Sequence, residues 1–474
     1  MGETRILSFE QPADFYYENA LKLLDRMDYI NALPHLRQAI EKDPGNTEYL
    51  LTYSEVLTEM AKYDESNVIL LDMLKSGRVE NECYFGLGCN FIGMNDFEKA
   101  HQSFEQYLML DPNGEFAEDA QEFLQFIDDY SDPDNGFLTD VTQKTSYELA
   151  NAGKRHLDMG EYKRAISLLL QVDDPTMLFA KNNLALSYFC DHQVDRAIEI
   201  TREVLKQDRH NIHALCNMAL FYGEKGDYYH LTEYLRRIDA EDPGQPEDLY
   251  KIAITFCELM RHERALDTFD DYLEMRPYDE RATFFAAIAA YNQKKYTRSI
   301  EYLMRMIKMD PANTVAQYYC GFVKSVMEGE QAFALLEYKY GLPPEETRRR
   351  LEYLNSCFGQ DIQTVRRRWE EDTDFSALVV WGLEWGDMTL KTAIAGIIAE
   401  MRDDKAEQTL RRFLLQPNQP DAIKNHVFLL LKKMGAKEPY VAYVDGNVVE
   451  VKVSPVQDLR IEKKENEESN SDDE

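Results

Sequence analysis

Apolar positions recur along this chain with a helical period, and small residues recur within that pattern at a fixed interval. From about residue 175 to residue 328 the small positions lie 34 residues apart. They are Ala185, Ala219, Ala253, Ala287 and Gly321. A fixed period of this length predicts a solenoid built from repeated helix pairs.

Three further positions of each period keep the same spacing. A mostly aromatic position, a second small position and a closing position that is mostly proline follow in turn. They are Val194, Tyr228, His262 and Tyr296, then Ala197, Leu231, Ala265 and Ser299, then Arg209, Pro243, Pro277 and Pro311. Small residues allow two helices to cross closely, and proline ends the second helix because it lacks an N–H donor.

The same register is present near the N-terminus. Its members are Ala20, Ser54 and Gly88, then Tyr29, Tyr63 and Phe97, then Ala32, Ser66 and Ala100. We predict an N-terminal array over 13–130, with repeats at 13–46, 47–80 and 81–114 and a capping helix at 116–130. A turn-rich stretch then predicts a linker at 131–145.

A second array is predicted over 146–341. Its first repeat, 146–177, is short because Pro175 arrives early. Four complete repeats follow over 178–313, and a further repeat begins with Tyr318 and Gly321 but loses the pattern in its second half.

The period of 34 is absent after residue 342. We predict a helical extension over 342–438 and a β-hairpin over 439–455, because two β-rich runs are joined there by Asp445 and Gly446. The hairpin should lie against the last helices, since an isolated hairpin is only marginally stable. The acidic residues 456–474 are expected to be disordered.

The small–aromatic–small–proline register resembles that of the tetratricopeptide repeat (TPR) family, and the resemblance covers residues 13–327. It is similar to bacterial TPR proteins without an assigned activity. The resemblance implies an all-α TPR superhelix with a C-terminal helical extension that ends in the small hairpin. It also implies a concave face, lined by the first helix of each repeat, that holds peptides or folded partners.

Charge and composition narrow the function classes. The formal net charge of −33 argues against nucleic acid as a partner, because its phosphates would be repelled. Seven cysteines without a CxxC motif favour a reducing, cytoplasmic location. The first twelve residues do not resemble a signal peptide, and no apolar run reaches 18 residues, so we expect no membrane contact.

Catalytic motifs are absent from the sequence, which has no phosphate loop, no HExxH and no GxSxG. We therefore expect no enzyme activity, no cofactor and no bound metal. His262 is interpreted as a packing residue at the start of a second helix. Two arginine clusters, 348–350 and 366–368, either pair with acidic groups of the chain or form a local anion or nucleic-acid contact.

The groove positions of the second array can be read from the register. The earlier repeats offer two amides, and the later ones form an aromatic stripe with one lysine. These positions are Asn183, Asn217, Tyr250, Lys251, Ile254, Phe284, Phe285, Ile288, Tyr318, Tyr319 and Phe322. The stripe is either a partner-binding surface or is buried when the arginine-rich helix and the helices after it fold back on it.

Acidic residues should border this groove, namely Asp25, Glu59, Asp158, Glu224 and Glu258. The expected ligand is therefore a peptide or helical segment with apolar anchors and flanking Lys or Arg. The sequence predicts a protein-interaction scaffold of undetermined oligomeric state. Two alternatives are an enzyme or enzyme subunit with its chemistry in 342–453, and an RNA-associated helical-repeat protein.

Overall fold

A computed structural model describes residues 11–75, 80–94, 96–131, 141–359, 361–416, 419–444, 447–453 and 459–461. Within these residues the chain is almost entirely helical. The helices are α1 (Ala13–Leu24), α2 (Tyr29–Lys42), α3 (Thr47–Glu59), α4 (Tyr63–Lys75), α5 (Glu80–Gly93), α6 (Phe97–Leu110), α7 (Ala117–Ser131), α8 (Val141–Asp158), α9 (Tyr162–Leu169), α10 (Leu178–Cys190), α11 (Val194–Gln207), α12 (Ile212–Glu224), α13 (Tyr228–Ile238), α14 (Pro246–Glu258), α15 (His262–Met275), α16 (Glu280–Asn292), α17 (Tyr296–Met309), α18 (Thr314–Met327), α19 (Pro344–Phe358), α20 (Ile362–Glu371), α21 (Thr373–Trp385), α22 (Met388–Met401), α23 (Asp404–Leu414) and α24 (Asp421–Met434). None of the described helices is both long enough and apolar enough to cross a membrane.

The described residues form two compact units, each of which combines distant parts of the sequence. The array unit consists of Asp14–Gln38 and Asp111–Gly341. The sheet unit includes Ala39–Leu110 and the described residues after Leu342. Helix α8 begins at Val141, within the stretch for which the sequence predicts a linker.

Helix pairs of the array unit follow the predicted register. The first small residues, Ala185, Ala219, Ala253 and Ala287, are fully buried where the two helices of each repeat cross. Asparagine or aspartate residues begin several of the first helices. Their side chains accept hydrogen bonds from the first turn, as Asn211, Asp279 and Asn313 do from Ala214, Ala282 and Ala316.

Glycines at the small position show how closely the two helices of a repeat approach each other. A Cβ atom on Gly153 would lie 2.5 Å from Leu169 of α9, and one on Gly88 would lie 2.5 Å from Phe104 of α6. A Cβ atom on Gly321 would meet nothing within 4 Å. The reason is that α18 begins a repeat but is not followed by a second helix.

Residues 331–341 replace that second helix with a stretch that belongs to no helix or strand. We call this stretch the 331–341 segment. It follows α18 within the array unit and ends shortly before α19 begins at Pro344. The loss of pattern that the sequence shows in the last repeat therefore corresponds to a change from helix to irregular backbone.

The N-terminal part of the array unit contacts α17. Arg37 donates a hydrogen bond from Nη1 to the backbone oxygen of Lys308 at 3.0 Å, and Lys308 Nζ donates to Asn31 Oδ1 at 3.0 Å. The rings of Tyr29 and Tyr278 lie 6.0 Å apart in an edge-on arrangement. These contacts join residues more than 240 positions apart, and no repeat pattern predicts them.

The sheet unit has an apolar core formed by α19–α24 and the strands, with Trp369, Trp381, Phe413 and Phe428 among its buried side chains. Strands β1 (Tyr440–Val444) and β2 (Asn447–Val453) pair antiparallel, which confirms the predicted hairpin. Its Tyr440 ring stacks on Phe428 of α24, as expected for a hairpin that lies on the last helices.

The sheet is larger than predicted by one strand. Strand β3 (Leu459–Ile461) pairs antiparallel with β2, within the stretch that the sequence assigns to a disordered tail. The remainder of that tail, 456–458 and 462–474, lies outside the described residues.

The arginine clusters make contacts within the sheet unit. Glu346, which is only 7% exposed, accepts hydrogen bonds from Arg349 at 2.7 Å and from Arg350 at 2.8 Å. Arg366 donates to the backbone oxygen of Glu400 at 2.7 Å, and Arg368 contacts Tyr353. These contacts favour the interpretation in which the arginines pair within the chain.

Replacing Glu346 with Gln should destabilise the sheet unit by about 1–3 kcal/mol near neutral pH, since two charge-assisted hydrogen bonds lose their acceptor. Burial alone would raise the pKa of Glu346, but the hydrogen bonds and charges of Arg349 and Arg350 hold this pKa below its ordinary value. A carboxylate whose pKa is lower in the folded than in the unfolded protein stabilises the folded state at pH values above its unfolded-state pKa. This stabilisation is lost as the pH falls through the folded-state pKa.

Urea unfolding of the wild type and Glu346→Gln, near neutral pH and again below about pH 4, measures this effect. The difference between the two proteins should shrink at acidic pH. Glu352→Gln is the matched control, because Glu352 is exposed on the same helix. Equal effects of the two substitutions would contradict the assignment.

Candidate functional site

The 331–341 segment lies along α16 and runs antiparallel to it. Near its start, the Phe333 ring stacks on Tyr291 with centroids 5.3 Å apart. Near its end, the Tyr340 ring meets Phe284 edge-on at 5.1 Å. Because Tyr291 is near the C-terminal end of α16 and Phe284 near its N-terminal end, the segment covers most of one face of the helix.

Main-chain atoms of the segment are held by Asn292. Its Nδ2 donates to the backbone oxygen of Leu336 at 2.9 Å, and its Oδ1 accepts from the backbone N–H of the same residue at 2.9 Å. Tyr291 donates from its hydroxyl to the backbone oxygen of Ala334 at 3.0 Å. Three hydrogen bonds therefore bind the backbone and leave the side chains of the segment to other contacts.

Tyr338 occupies a position between two repeats. Its hydroxyl lies 2.8 Å from Nδ1 of His262, and the two rings are stacked at 5.8 Å. The ring of Phe285 meets it edge-on at 6.3 Å. Burial raises the pKa of the Tyr338 hydroxyl, so that it stays protonated at neutral pH.

Tyr340 occupies a second position, at the start of α16 and α18. Its hydroxyl donates to the carboxylate of Glu280 and accepts from Nδ2 of Asn313 at 3.1 Å. Burial and the Glu280 carboxylate raise the pKa of this hydroxyl. A phenol that can both donate and accept therefore fits this place.

The predicted aromatic stripe is largely buried. Phe284, Phe285, Ile288 and Tyr319 are at most 6% exposed. Burial also raises the pKa of Tyr319 to about 12. Self-burial of part of the stripe is therefore observed, by a segment that precedes the arginine-rich helix.

The rest of the stripe is half-buried. It comprises Tyr250, Ile254, Tyr318 and Phe322. Tyr250 packs against Tyr272 with ring centroids 5.3 Å apart, and Phe322 lies 5.7 Å from Tyr291. The stripe thus continues from the covered residues onto neighbouring helices.

The two predicted amides have different surroundings. Asn183 is partly exposed, but Asn217 is only 1% exposed and uses both ends of its amide inside the fold. Its Nδ2 donates to the backbone oxygen of Asn182 at 3.3 Å, and its Oδ1 accepts from Lys251 Nζ at 2.8 Å. Burial lowers the pKa of Lys251. In this arrangement Asn217 positions Lys251.

Acidic residues expected at the border are exposed. This holds for Asp25, Asp158, Glu224 and Glu258 in the array unit, and for Glu59 in the sheet unit. Glu224, Glu258 and Asn292 lie 34 residues apart at the last position of α12, α14 and α16. The two earlier repeats therefore carry a carboxylate at the position where α16 carries Asn292, the residue that binds the 331–341 segment.

Several site residues were missed by the sequence analysis. His262, interpreted as a packing residue, contacts Tyr338, and Asn292 was not considered at all. One signal was available in the alternation of Leu336, Tyr338 and Tyr340, which is typical of an extended chain with one buried face. It directly follows the first helix of a repeat that has no second one.

Comparison with known proteins supports the repeat assignment. Models of the tetratricopeptide repeat match residues 82–113 and 250–314. The TPR repeat-containing protein YvcD of Bacillus subtilis (strain 168) is 28% identical over 265 residues. That match covers 55% of this chain and 54% of YvcD, so the chain spans about half the length of this relative.

Solved structures with the same kind of repeat are more distant. The Cut9–Hcn1 hetero-tetramer of the APC/C is 14% identical, with a TM-score of 0.29, and the match covers 67% of this chain and 57% of that one. YrrB, described as a TPR protein with an unusual peptide-binding site, is 16% identical, with a TM-score of 0.27, and the match covers 36% of this chain and 85% of that one. The 34-residue register, the packed helix pairs and the two matched regions together identify tetratricopeptide repeats within this chain.

Proposed function

We propose that this protein is an interaction scaffold whose array unit binds a peptide or helical segment of basic and apolar character along the first helices of its repeats. The observation that carries the proposal is the 331–341 segment. A side chain of α16 already holds a non-helical chain there, through the two hydrogen bonds of Asn292 to the backbone of Leu336. Recognition of main-chain atoms gives affinity for many sequences, and side-chain pockets then select among them.

Charge should determine which peptides approach. Glu224 and Glu258 are exposed at the register position of Asn292, and the chain carries a net charge of −33. A ligand that continues from the covered region toward α12 would meet these carboxylates. Lys or Arg side chains on the ligand would pair with them, and long-range attraction would raise the rate of association.

The proposal is tested first by selection from a displayed library of random 12-residue peptides on the full chain. Selected peptides should be enriched in Lys, Arg and apolar residues over the unselected library. Absence of any enrichment would contradict peptide binding by the scaffold. Enrichment of acidic peptides would contradict only the assigned charge.

Reversing the charge of both Glu224 and Glu258 to Lys should slow association of a selected basic peptide about tenfold at low salt. Stopped-flow fluorescence measures the rate, and the difference from wild type should fade at about 0.5 M salt because screening shortens the range of the interaction. Glu199→Lys with Glu233→Lys is the matched control, since both residues are exposed on second helices. Equal rates for both double variants would contradict the electrostatic assignment.

A further inference from the structure

The 331–341 segment has the features of a bound peptide rather than of a connecting loop. Its side chains alternate: Leu336, Tyr338 and Tyr340 are half-buried, whereas Glu337 and Lys339 are exposed. It belongs to no helix or sheet, so no backbone ladder holds it in place. Its described contacts are mainly with side chains of α15, α16 and α18.

Recognition of the segment is divided between three places. Asn292 binds the backbone of Leu336, His262 and Phe285 enclose Tyr338, and Glu280 with Asn313 binds the hydroxyl of Tyr340. The first place accepts any residue because it reads only main-chain atoms. The other two accept aromatic side chains, two residues apart, from a chain that turns at Tyr338, where the backbone N–H of Lys339 donates to the backbone oxygen of Glu337 at 2.9 Å.

A hydroxyl is favoured at the second aromatic place. Glu280 and the Asn313 amide both contact the Tyr340 hydroxyl, and the amide also donates to the Glu280 carboxylate. A phenylalanine there would leave these polar groups without that partner, and such sites discriminate strongly against the analogue that lacks the hydroxyl. The site therefore distinguishes tyrosine from phenylalanine.

Because the 331–341 segment belongs to the same chain as its binding site, it competes strongly with any external peptide. A segment joined to its own binding site through a short connection competes at a high effective concentration, of the order of millimolar. An external peptide with the same contacts would bind weakly while the segment is in place. It would bind well once the segment is displaced or lacks its anchoring side chains.

We propose that this place on α15, α16 and α18 is a binding site for neutral, non-helical peptides of the pattern Leu-x-Tyr-x-Tyr, and that the 331–341 segment occupies it as an internal ligand that such a peptide displaces. The inference rests on the proposed peptide-binding function and adds a second ligand class and a closed state. The partner is a protein segment that presents two tyrosines, two residues apart, on one side of its chain.

A synthetic peptide with the segment's own sequence, QAFALLEYKYG, carrying a fluorescent label, is the probe. Fluorescence anisotropy compares its affinity for the wild type with that for an opened variant, Leu336→Ser with Tyr338→Ser and Tyr340→Ser. The opened variant should bind at least tenfold more tightly. A peptide of the same composition with its two tyrosines adjacent is the control ligand and should bind weakly to both proteins.

Two further changes test whether the probe binds at the site that the 331–341 segment occupies. Asn292→Ala in the opened variant should weaken binding of the probe at least tenfold, and so should a probe with phenylalanine in place of the second tyrosine. Circular dichroism establishes that the opened variant keeps its helices. A folded opened variant that binds the probe no better than the control peptide would overturn the proposal.

A measurement on the unmodified chain covers the case in which the opened variant does not fold. Hydrogen exchange followed by mass spectrometry reports the protection of the backbone N–H of Leu336. Addition of the probe at millimolar concentration should accelerate exchange in residues 331–341 in a saturable manner. Unchanged exchange at saturating probe would show that the segment is a fixed part of the fold and would overturn the inference.

Failure of this inference is separable from failure of the proposed function. The probe contains one Glu and one Lys and is therefore neutral in its side chains, whereas the library selection seeks basic peptides. Selected basic peptides with no binding of the probe would leave the scaffold in place and remove only the internal ligand. Binding of the probe without enrichment of basic peptides would leave peptide binding and the internal ligand in place and remove only the basic ligand class.

Discussion

Replacing Phe284 with Ala should lower the free energy of unfolding of the array unit by about 3–5 kcal/mol. The Phe284 side chain is fully buried in α16. Its ring lies 5.1 Å from those of Tyr319 and Tyr340 and 5.9 Å from that of Phe285. Its removal leaves a cavity that these rings fill only in part, because they are fixed on three different elements.

Urea unfolding followed by circular dichroism measures this loss, and hydrogen exchange in residues 280–340 assigns it to the array unit. Tyr228→Ala is the matched control, since Tyr228 is 73% exposed in the same array and its loss should change the unfolding free energy by no more than about 0.5 kcal/mol. A stable Phe284→Ala protein would contradict the burial described above. It would return Phe284 to the partner-binding surface that the sequence analysis proposed.

Replacing Trp369 with Ala should have an effect of similar size on the sheet unit, about 3–5 kcal/mol. Trp369 is 1% exposed and is one of the largest side chains of the core. Its indole Nε1 donates to Asp403 Oδ2 at 3.0 Å, and Asp403 also begins α23 by accepting from the backbone N–H of Ala406. The substitution therefore removes apolar volume and a contact that positions the start of a helix.

Trp385→Ala provides a control of the same chemistry, because Trp385 is 63% exposed in the same unit. Trp369→Phe separates the two contributions: it keeps most of the ring volume and loses the N–H donor, so about 1–3 kcal/mol should be lost. Thermal and urea unfolding of the three variants give the comparison. If Trp369→Ala and Trp385→Ala destabilise equally, the described core is wrong.

The helix pairs could be predicted from the sequence because their packing is local and repeated. Ala253 and Ala287 must be small wherever a second helix crosses the first, so the requirement recurs every 34 residues and becomes visible as a period. The hairpin was likewise predictable, because β-rich runs and an Asp-Gly pair are adjacent in sequence. Strand β3 was not, since a three-residue strand in a charged stretch carries no recognisable pattern.

The groove positions could be predicted from the same register, but whether each side chain is exposed or buried could not. The sequence placed Asn217 and Phe284 on the first helices and left open whether a partner or the chain itself covers them. In the structure, the Asn217 amide forms hydrogen bonds with Asn182 and Lys251, and the ring of Tyr340 packs against Phe284. Side-chain direction is fixed by helical geometry, whereas occupancy depends on which distant group reaches the site.

The sequence by itself determined the repeat, its length and the side of each helix that packs inward, because these depend on contacts within one repeat or between neighbours. Only the tertiary structure decided what lies on α16. Tyr340 reaches Glu280 across 60 positions of sequence, after the period has ended. No repeated spacing records such a contact, since it is made once and depends on the path of the whole chain between its two ends.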